Sequence, residues 1–382
     1  AKEGTAHLIE HMIFKGTEDL DSRRINIIAE AHGAELNGFT DKEGTCFYAR
    51  FPADQINIIV DLMGKILSAP AFTEIELSKE KEVVREEIRA GEEDPETCVL
   101  NLLMQALYGS SPLGRPAIGT LDSITSITRD DLVRFYKNYY RAASGVAVAV
   151  GEVDHELLLK RLDGLDGWAG EQPPRPSSFP EKPEMLTRTR TDISQVHLCL
   201  AVPTFAYGDP RRYALSVLNT LLGGGVSSRL FQRLREEEGL VYSVGSFAEL
   251  YQETGFFGIY FSAEHQKLPR CIAVLNEEIS RLYREKITFE EFERAMVMTR
   301  SAVLLGMEAP INRMLRLSRG YLLLNRVQTI EETIAAFNQV TQEDVVQLID
   351  ELFAGRHFYG SAVGPIEPLV AKEIIFDKFK GK

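Results

Sequence analysis

Apolar residues recur at helical spacing along most of this chain and alternate with polar residues in a few short stretches. Apolar positions three and four apart predict amphipathic helices. In the first half of the chain, these helices are predicted at residues 5–15, 21–32, 54–68, 78–90, 95–107, 129–140 and 155–165. In the second half, they are predicted at residues 210–221, 227–237, 267–284, 288–308, 311–324, 329–338 and 342–352.

Period-two alternation, with β-branched and aromatic side chains, predicts the strands. They lie at residues 34–40, 44–51, 146–150, 196–202, 241–250, 255–262 and 357–363. Only Asp41-Lys42-Glu43 separates the first two strands, which indicates an antiparallel pair. The order helix, helix, strand, strand, helices, strand occurs in both halves, so we predict an α+β protein built from two similar domains.

A proline-dense stretch lies between the two halves. It contains Pro173, Pro174, Pro176, Pro180 and Pro183. Such a composition is typical of an interdomain linker. We therefore predict a linker at 169–188 between an N-terminal domain at 1–168 and a C-terminal domain at 189–382. The first domain opens on a helix where the second opens on a strand, so the first is expected to lack its first strands.

Composition and charge narrow the class of protein. The chain is 44% hydrophobic and 26% charged, which is ordinary for a soluble globular protein. Its net charge of −13 argues against nucleic acid and anionic membranes as partners, because both bind basic surfaces. No apolar run reaches the roughly 18 residues of a membrane span.

The four cysteines are scattered and form no C-x-x-C pair. This pattern indicates reduced, mostly buried thiols in a reducing compartment. A bacterial cytoplasm fits both the cysteines and the charge, with a mitochondrial matrix as the alternative. The first residues of the chain are charged, which predicts no signal peptide.

Candidate chemistry begins with His7-Leu8-Ile9-Glu10-His11. Residues three and four apart share a helix face, so His7, Glu10 and His11 would point into one small volume. Two neutral imidazoles at this spacing can share one Zn²⁺, and a carboxylate beside them can act as a general base. The alternative is a charged helix face that carries two histidines by chance. An acidic third ligand on another helix would separate the two interpretations.

The segment 78–90 is a strong helix crowded with acidic residues. It carries Glu80, Glu82, Glu86 and Glu87, and a solvated charged face is the ordinary interpretation of such a segment. However, Glu80 and Glu87 are seven apart, which is two helical turns, and so they lie on one face. Glu86, roughly 100° around the helix from Glu87, would face elsewhere, as would Glu82.

Several motifs carry a resemblance to a known family. His7 to Thr17, HLIEHMIFKGT, resembles the signature of the pitrilysin (M16) family of zinc peptidases. The chain is most similar to the shorter, M16B-like members related to the mitochondrial processing peptidase β subunit and its bacterial homologues. Further motifs that agree are LNGFT at 36–40, EKEVVREEI at 80–88, PLGRP at 112–116 and LGGGVSSRLF at 222–231. In the first of these, Gly38 stands where the family usually has alanine.

The resemblance covers essentially the whole chain and implies a fold and an activity. The implied fold is LuxS/MPP-like metallohydrolase, with a mainly antiparallel β-sheet packed with α-helices in each domain. The implied activity is that of a zinc-dependent endopeptidase with one Zn²⁺ per chain. Glu87 would be the third ligand beside His7 and His11, and Glu80 would orient the ligands. Glu10 would act as the general base for the attacking water.

The same resemblance implies substrate contacts. Asn37 and Phe39 would lie on an edge strand beside the site, where an extended peptide can add through backbone hydrogen bonds. Arg235 and Tyr242, seven apart across a helix end, match the family's substrate-binding Arg/Tyr pair. By spacing alone, they would be better explained as a last-turn arginine and a half-buried strand tyrosine.

In two-domain members of the family, this pair faces the active site of a partner chain. The resemblance therefore implies a homodimer that encloses a chamber and accepts short peptides or unfolded, presequence-like segments. The alternative is a non-catalytic or heterodimer-dependent partner or scaffold subunit. The presence of the complete zinc set favours the peptidase, and the presence of the Arg/Tyr pair in the same chain favours a homodimer.

Overall fold

Helices alternate with strands along this chain, and the strands form two separate sheets. The computed structural model describes residues 2–141, 144–162, 184–354 and 357–371. Its helices and mainly antiparallel strands confirm the predicted α+β class. In the described part of the chain, no helix is both long enough and apolar enough to cross a membrane.

The helices up to residue 162 are α1 (Thr5–Ile13), α2 (Ser22–Ala31), α3 (Ile56–Ser68), α4 (Glu74–Glu93), α5 (Pro95–Tyr108), α6 (Leu121–Ser126), α7 (Arg129–Tyr139) and α8 (His155–Leu162). The later helices are α9 (Arg212–Gly223), α10 (Leu268–Glu285), α11 (Phe289–Gly306), α12 (Pro310–Leu324), α13 (Ile330–Gln339), α14 (Gln342–Phe353) and α15 (Pro368–Ala371). A π-helical segment covers Phe231–Glu237. The strands are β1 (Glu35–Thr40), β2 (Thr45–Arg50), β3 (Met185–Thr189), β4 (Gln195–Thr204), β5 (Val241–Leu250), β6 (Gly255–Glu264) and β7 (Tyr359–Gly364).

Threonine side chains define where five helices begin. In each case, the hydroxyl accepts from the backbone N–H three residues later, and the side chain there returns a hydrogen bond to the threonine backbone. The residues are Thr120, Thr128, Thr288, Thr329 and Thr341. This reciprocal arrangement satisfies two backbone donors that a helix otherwise leaves unpaired. Thr128 thereby begins the helix that the sequence predicts at 129–140.

Two compact units emerge from the contacts between Cα atoms. The first comprises Ala1–Gly91, Arg115–Arg175 and Arg313–Leu322, and the second comprises Glu92–Gly114, Pro176–Asn312 and Leu323–Lys382. The whole of α5 therefore belongs to the second unit, although the sequence assigned it to the first domain. Residues 169–183 of the predicted linker lie outside the described residues, and β3 already begins at Met185. The domain limits stay a prediction.

In the first unit, α1 packs against the hairpin of β1 and β2 and against α7. The hairpin is antiparallel, with Glu35 opposite Arg50 and Thr40 opposite Thr45, as the short connection predicted. Within the described residues, β1 and β2 pair only with each other. The predicted strand at 146–150 is wrong: its residues alternate in exposure, but no described segment pairs with them.

In the second unit, five strands form one sheet in the order β3-β7-β4-β6-β5. Only β3 and β7 run parallel, and the other neighbours are antiparallel. β4 is covered on both faces, with Leu198 and Leu200 packed in the cluster that contains α9, α10 and α14. Cys199 and Ala201 pack instead in the cluster that contains α5. Burial of both faces explains why this strand is almost entirely apolar.

Candidate metal centre

The apolar side of α1 fixes where its polar side points. Leu8, Ile9 and Met12 are at most 1% exposed and anchor the helix in the core. Gly4 precedes the helix with a φ of 82°, and a Cβ at this position would stand 2.4 Å from the carbonyl oxygen of Ile118. Glycine alone combines this backbone conformation with this close approach. The polar residues of the motif are therefore held on the face that turns toward β1 and α4.

His7, His11 and Glu87 converge on one point. Oε2 of Glu87 lies 3.7 Å from Nε2 of His7 and 3.5 Å from Nε2 of His11. Among the described residues, this is the one group of three such side chains close enough together to hold a metal ion. Two imidazoles and one carboxylate are the protein ligands of one class of catalytic zinc site, in which a further position stays open.

Glu80 contacts the other ring nitrogen of His11. Its Oε2 lies 3.1 Å from His11 Nδ1, and its Oε1 lies 2.7 Å from Lys15 Nζ. Because an ionised carboxylate can only accept, His11 donates through Nδ1. In the neutral imidazole, Nε2 then carries the lone pair, and this nitrogen faces Glu87. Glu80 is 4% exposed, so a buried carboxylate with two partners fixes both the ring and the tautomer of His11.

The surroundings of His7 and His11 shift the pKa values of the two imidazoles in opposite directions. Burial and the neighbouring His11 lower the pKa of His7 to about 4, so its imidazole is neutral at pH 7, as a metal ligand must be. Burial also acts to lower the pKa of His11, but the hydrogen bond with Glu80 and the charges of Glu87, Glu80 and Glu10 outweigh it and raise the pKa. His7 Nδ1 is buried and has no hydrogen-bond partner among the described residues.

Glu10 contacts β1 through its carboxylate and its stem. Its Oε2 accepts a hydrogen bond of 2.6 Å from the Thr40 hydroxyl. Its stem crosses Gly38, where an added Cβ would stand 3.0 Å from Glu10 Cγ and 3.2 Å from the carbonyl oxygen of Cys46. Glu10 is 9% exposed, and this burial raises the pKa of its carboxyl group. The departure from alanine at Gly38 therefore lies directly under the candidate base.

Asn37 and Phe39 occupy the outward positions of β1. Both are exposed, whereas the intervening Gly38 faces Glu10. The Phe39 ring lies 6.5 Å from the ring of Tyr48 on β2. Asn37 Oδ1 accepts a hydrogen bond from the Gly38 amide over 2.8 Å. Their role in binding substrate stays a prediction.

Arg235 and Tyr242 contact each other within the second unit. Arg235 Nη1 donates to the carbonyl oxygen of Tyr242 over 2.8 Å. The guanidinium carbon lies 4.9 Å from the centre of the Tyr242 ring and 4.8 Å from that of Phe231. The Tyr242 side chain is not half-buried, because the residue is 75% exposed. The Tyr242 carbonyl oxygen and the rings of Tyr242 and Phe231 therefore hold the Arg235 side chain. Together with the exposed Tyr242 phenol, it forms a polar surface that can bind a ligand.

The sequence interpretation missed two residues of the centre, Lys15 and Thr40. Lys15 stands in the motif signature, in the turn that follows α1, yet its contact with Glu80 reaches the separate helix α4. Thr40 ends β1 and reaches Glu10 across 30 positions. The alternation of side chains along β1 could have indicated Thr40, because Thr40 and Gly38 lie on the same inward face of the strand. Glu82 and Glu86 are 70% and 68% exposed, in line with the prediction that they face elsewhere.

Comparisons with known proteins match this chain to two family descriptions and to named relatives. The family described as "Insulinase (Peptidase family M16)" matches residues 1–121, and the family described as "Peptidase M16 inactive domain" matches residues 126–297. The chain is 34% identical to the uncharacterized zinc protease YmxG of Bacillus subtilis, a match that covers 92% of this chain and 86% of YmxG.

Another relative and a solved structure extend this likeness. An uncharacterized zinc protease of Streptomyces coelicolor is 31% identical, over 98% of this chain and 83% of its own length. The crystal structure of a protease from Helicobacter pylori superposes with a TM-score of 0.86 at 20% identity, covering 95% of this chain and 89% of the other. At that identity, the structural likeness concerns the fold alone.

Proposed function

The chain belongs to the insulinase family of peptidases, family M16, and from this premise we propose that it is a zinc-dependent endopeptidase. The observation that carries the proposal is the convergence of His7, His11 and Glu87, with Glu10 on the same helix. Relatives named as zinc proteases support the metal, and the presence of the complete set of candidate residues supports catalysis over a purely structural site.

The three converging residues would hold the ion. His7 and His11 would each offer Nε2, and Glu87 would offer a carboxylate oxygen. The neutral His7 and the hydrogen bond from His11 to Glu80 fit this role, because ligand imidazoles must present an unprotonated nitrogen. When bound, Zn²⁺ lowers the pKa of a water molecule to about 7 and polarises the scissile carbonyl.

Glu10 acts as the general base in this proposal. Its carboxylate accepts a proton from the attacking water and then delivers the proton to the amine that leaves. Burial raises the pKa of Glu10, which brings it closer to neutral pH, where proton transfer in both directions is easiest. β1 would bind an extended peptide along its edge, with Asn37 and Phe39 beside the substrate.

The substrate class is short peptides or unfolded, presequence-like segments. Backbone pairing with a strand tolerates varied sequences but requires an extended chain, which a folded protein does not offer. Arg235 and the exposed Tyr242 would contact the substrate backbone from the second unit of a partner chain. The active molecule is then a homodimer, because this chain carries both the zinc set and the pair.

Hydrolysis of a quenched fluorescent peptide library tests the proposal. The zinc-loaded protein is expected to cleave, a chelator is expected to abolish cleavage, and Glu10→Gln is expected to lower the rate by about 10²–10⁴-fold. Glu82→Gln is the matched control, since Glu82 is an exposed glutamate of α4 and its loss should leave the rate unchanged. An inactive wild type, with metal bound and the dimer intact, would instead favour a partner subunit without catalysis.

A further inference from the structure

The Thr40 hydroxyl donates its single proton to Glu10. The distance from Thr40 Oγ1 to Glu10 Oε2 is 2.6 Å, which is short for a hydroxyl–carboxylate hydrogen bond. An ionised carboxylate has no proton to give, so Thr40 must be the donor. The bond joins the last residue of β1 to the polar face of α1.

The Thr45 hydroxyl contacts the Thr40 hydroxyl. Thr45 faces Thr40 directly across the hairpin, and their Oγ1 atoms are 3.3 Å apart. Because Thr40 has given its proton to Glu10, it can only accept from Thr45. The Tyr140 hydroxyl lies 3.4 Å from Thr45 Oγ1 and 3.4 Å from the carbonyl oxygen of Ala6 in α1, and its single proton can go to only one of these two acceptors. The Thr45 proton, donated to Thr40, leaves the Thr40 proton for Glu10.

The contact with Thr40 gives the two oxygens of the Glu10 carboxylate different surroundings. Oε2 is occupied by Thr40, whereas Oε1 accepts no hydrogen bond from the part of the chain that the structure describes. A glutamate has three side-chain torsions, and without a tether its carboxylate would sample several positions. Gly38 leaves room for the stem, since a Cβ there would stand 3.0 Å from Glu10 Cγ. Thr40 therefore holds one oxygen, and the other keeps its capacity to accept a proton.

We propose that Thr40 is a positioning residue that fixes the Glu10 carboxylate through Oε2, so that Oε1 is the oxygen that takes the proton of the attacking water. Thr45 supports this by orienting the Thr40 hydroxyl. The inference rests on the proposed peptidase function. A general base must lie within hydrogen-bond reach of the proton that it takes, and misplacement by about 1 Å can lower the rate 10²-fold.

Isosteric substitutions test the role of the hydroxyl. Thr40→Val keeps the shape and the β-branch but removes the donor, and we expect kcat to fall about 10–100-fold while KM stays within about twofold. Thr40→Ser keeps the hydroxyl and is expected to restore most of kcat. Thr45→Val should lower kcat by a smaller factor, since it acts only through Thr40. Thr187→Val, a strand threonine of the second unit, serves as the control and should change neither constant.

Two further measurements separate positioning from general damage. The affinity of each variant for Zn²⁺, measured against a competing chelator, should equal that of the wild type, because the Thr40 hydroxyl bonds to Glu10 and Thr45 rather than to a candidate ligand. A crystal structure of Thr40→Val should show the Glu10 carboxylate rotated or in more than one position. Full kcat in Thr40→Val, or an unmoved Glu10 in its crystal structure, would overturn the inference.

The outcome for Thr40 can be told apart from the outcome for the proposed function. If the zinc-loaded wild type does not cleave peptides, the peptidase proposal fails, and if Glu10→Gln is as active as the wild type, the role of Glu10 as the base fails. If the wild type cleaves, Glu10→Gln does not and Thr40→Val cleaves normally, only the positioning role fails. The position of Glu10 in the variant crystal decides the structural part of the inference without any activity.

Discussion

Lys15 is connected to the candidate metal site through Glu80. Its amine binds Oε1 of Glu80 at 2.7 Å, and Oε2 of Glu80 holds His11 Nδ1. Loss of the amine would leave a buried carboxylate with one partner and free it to rotate. Groups behind metal ligands typically change metal affinity or activity by about 10–100-fold when they are removed.

We therefore predict that Lys15→Met weakens Zn²⁺ binding about tenfold or more. Competition with a chromogenic chelator measures the dissociation constant directly. Lys15→Arg should retain most of the affinity because it keeps a cation beside Glu80. Lys79→Met is a suitable control, since Lys79 is 63% exposed and pairs with Glu76. Equal affinities for the wild type and Lys15→Met would show that Glu80 holds His11 without help.

Lys42 gives the stability of the protein a specific dependence on pH. It lies in the turn between β1 and β2 and donates to the carbonyl oxygen of Arg115 over 2.5 Å. Burial lowers the pKa of its amine to about 8, compared with about 10.4 for an unfolded chain. Between these two values the unfolded chain binds more protons than the folded chain, so stability rises with pH across this window. Below pH 8, the folded chain carries the whole penalty of a buried charge.

The predicted measurement is a difference in the free energy of unfolding. From pH 7.5 to pH 10, the wild type should gain on the order of 2 kcal/mol relative to Lys42→Met, which lacks the titrating group. Urea unfolding at several pH values gives both curves. Lys65→Met, at an exposed position of α3, should keep the slope of the wild type. Parallel curves for the wild type and Lys42→Met would mean that the Lys42 amine stays solvated.

At the scale of elements, one arginine ties the π-helical segment to two helices of the second unit. Arg229, just before that segment, binds both carboxylate oxygens of Glu291 at 2.7 and 2.9 Å. It also lies 3.5 Å from Glu278 and donates to the backbone oxygen of Lys286. Glu278 is 4% exposed, so removing Arg229 would leave this buried carboxylate with one fewer counter-charge and would leave Glu291 without its two-pronged partner.

Arg229→Met is accordingly expected to destabilise the protein by about 3–5 kcal/mol, because the charges left behind cannot be solvated. Arg281→Met offers a close control: Arg281 also binds Glu278, at 3.2 Å, but is 53% exposed, and its loss should have an effect of less than about 1 kcal/mol. Chemical denaturation of both variants measures the two losses. Similar losses for the two arginines would contradict the importance of burial.

Most elements could be predicted from the sequence, and the two exceptions among the strands share a physical cause. The helix at 129–140 was found because Thr128 and its acidic first turn mark its start locally. β3 was missed because its partner, β7, lies more than 170 residues later and a parallel pairing leaves no local signature. The segment at 146–150 has the alternation of a strand but no described partner. The backbone hydrogen bonds of a strand require a neighbouring strand, whereas those of a helix form within the helix.

The same contrast holds for the candidate site. His7, Glu10 and His11 were predicted from spacing, since one helix turn brings them together. The contacts of Lys15 with Glu80 and of Thr40 with Glu10 join separate elements, and side-chain types along the chain do not reveal them. The candidate ligands and the candidate base could therefore be predicted more readily than the residues that contact them from other elements.

At the scale of the whole molecule, the chain carries a zinc set in one unit and an Arg/Tyr pair in the other. In the proposed homodimer, the Arg235 and Tyr242 of each chain serve the zinc site of its partner. Two different inactive chains can then complement each other. Glu10→Gln lacks the base but keeps the pair, whereas Arg235→Ala lacks the pair but keeps the base. A mixed dimer therefore contains one complete composite site.

We predict that co-expression of Glu10→Gln and Arg235→Ala in equal amounts recovers about a quarter of the wild-type rate. Random pairing makes about half of the dimers mixed, and each mixed dimer has one working site instead of two. Each variant alone should be at least tenfold less active than the wild type. Isolating the mixed dimer with two affinity tags should raise the recovery to about half. Activity no greater than the sum of the separate variants would mean that the pair serves its own chain, and a monomer in solution would remove the basis for the shared site altogether.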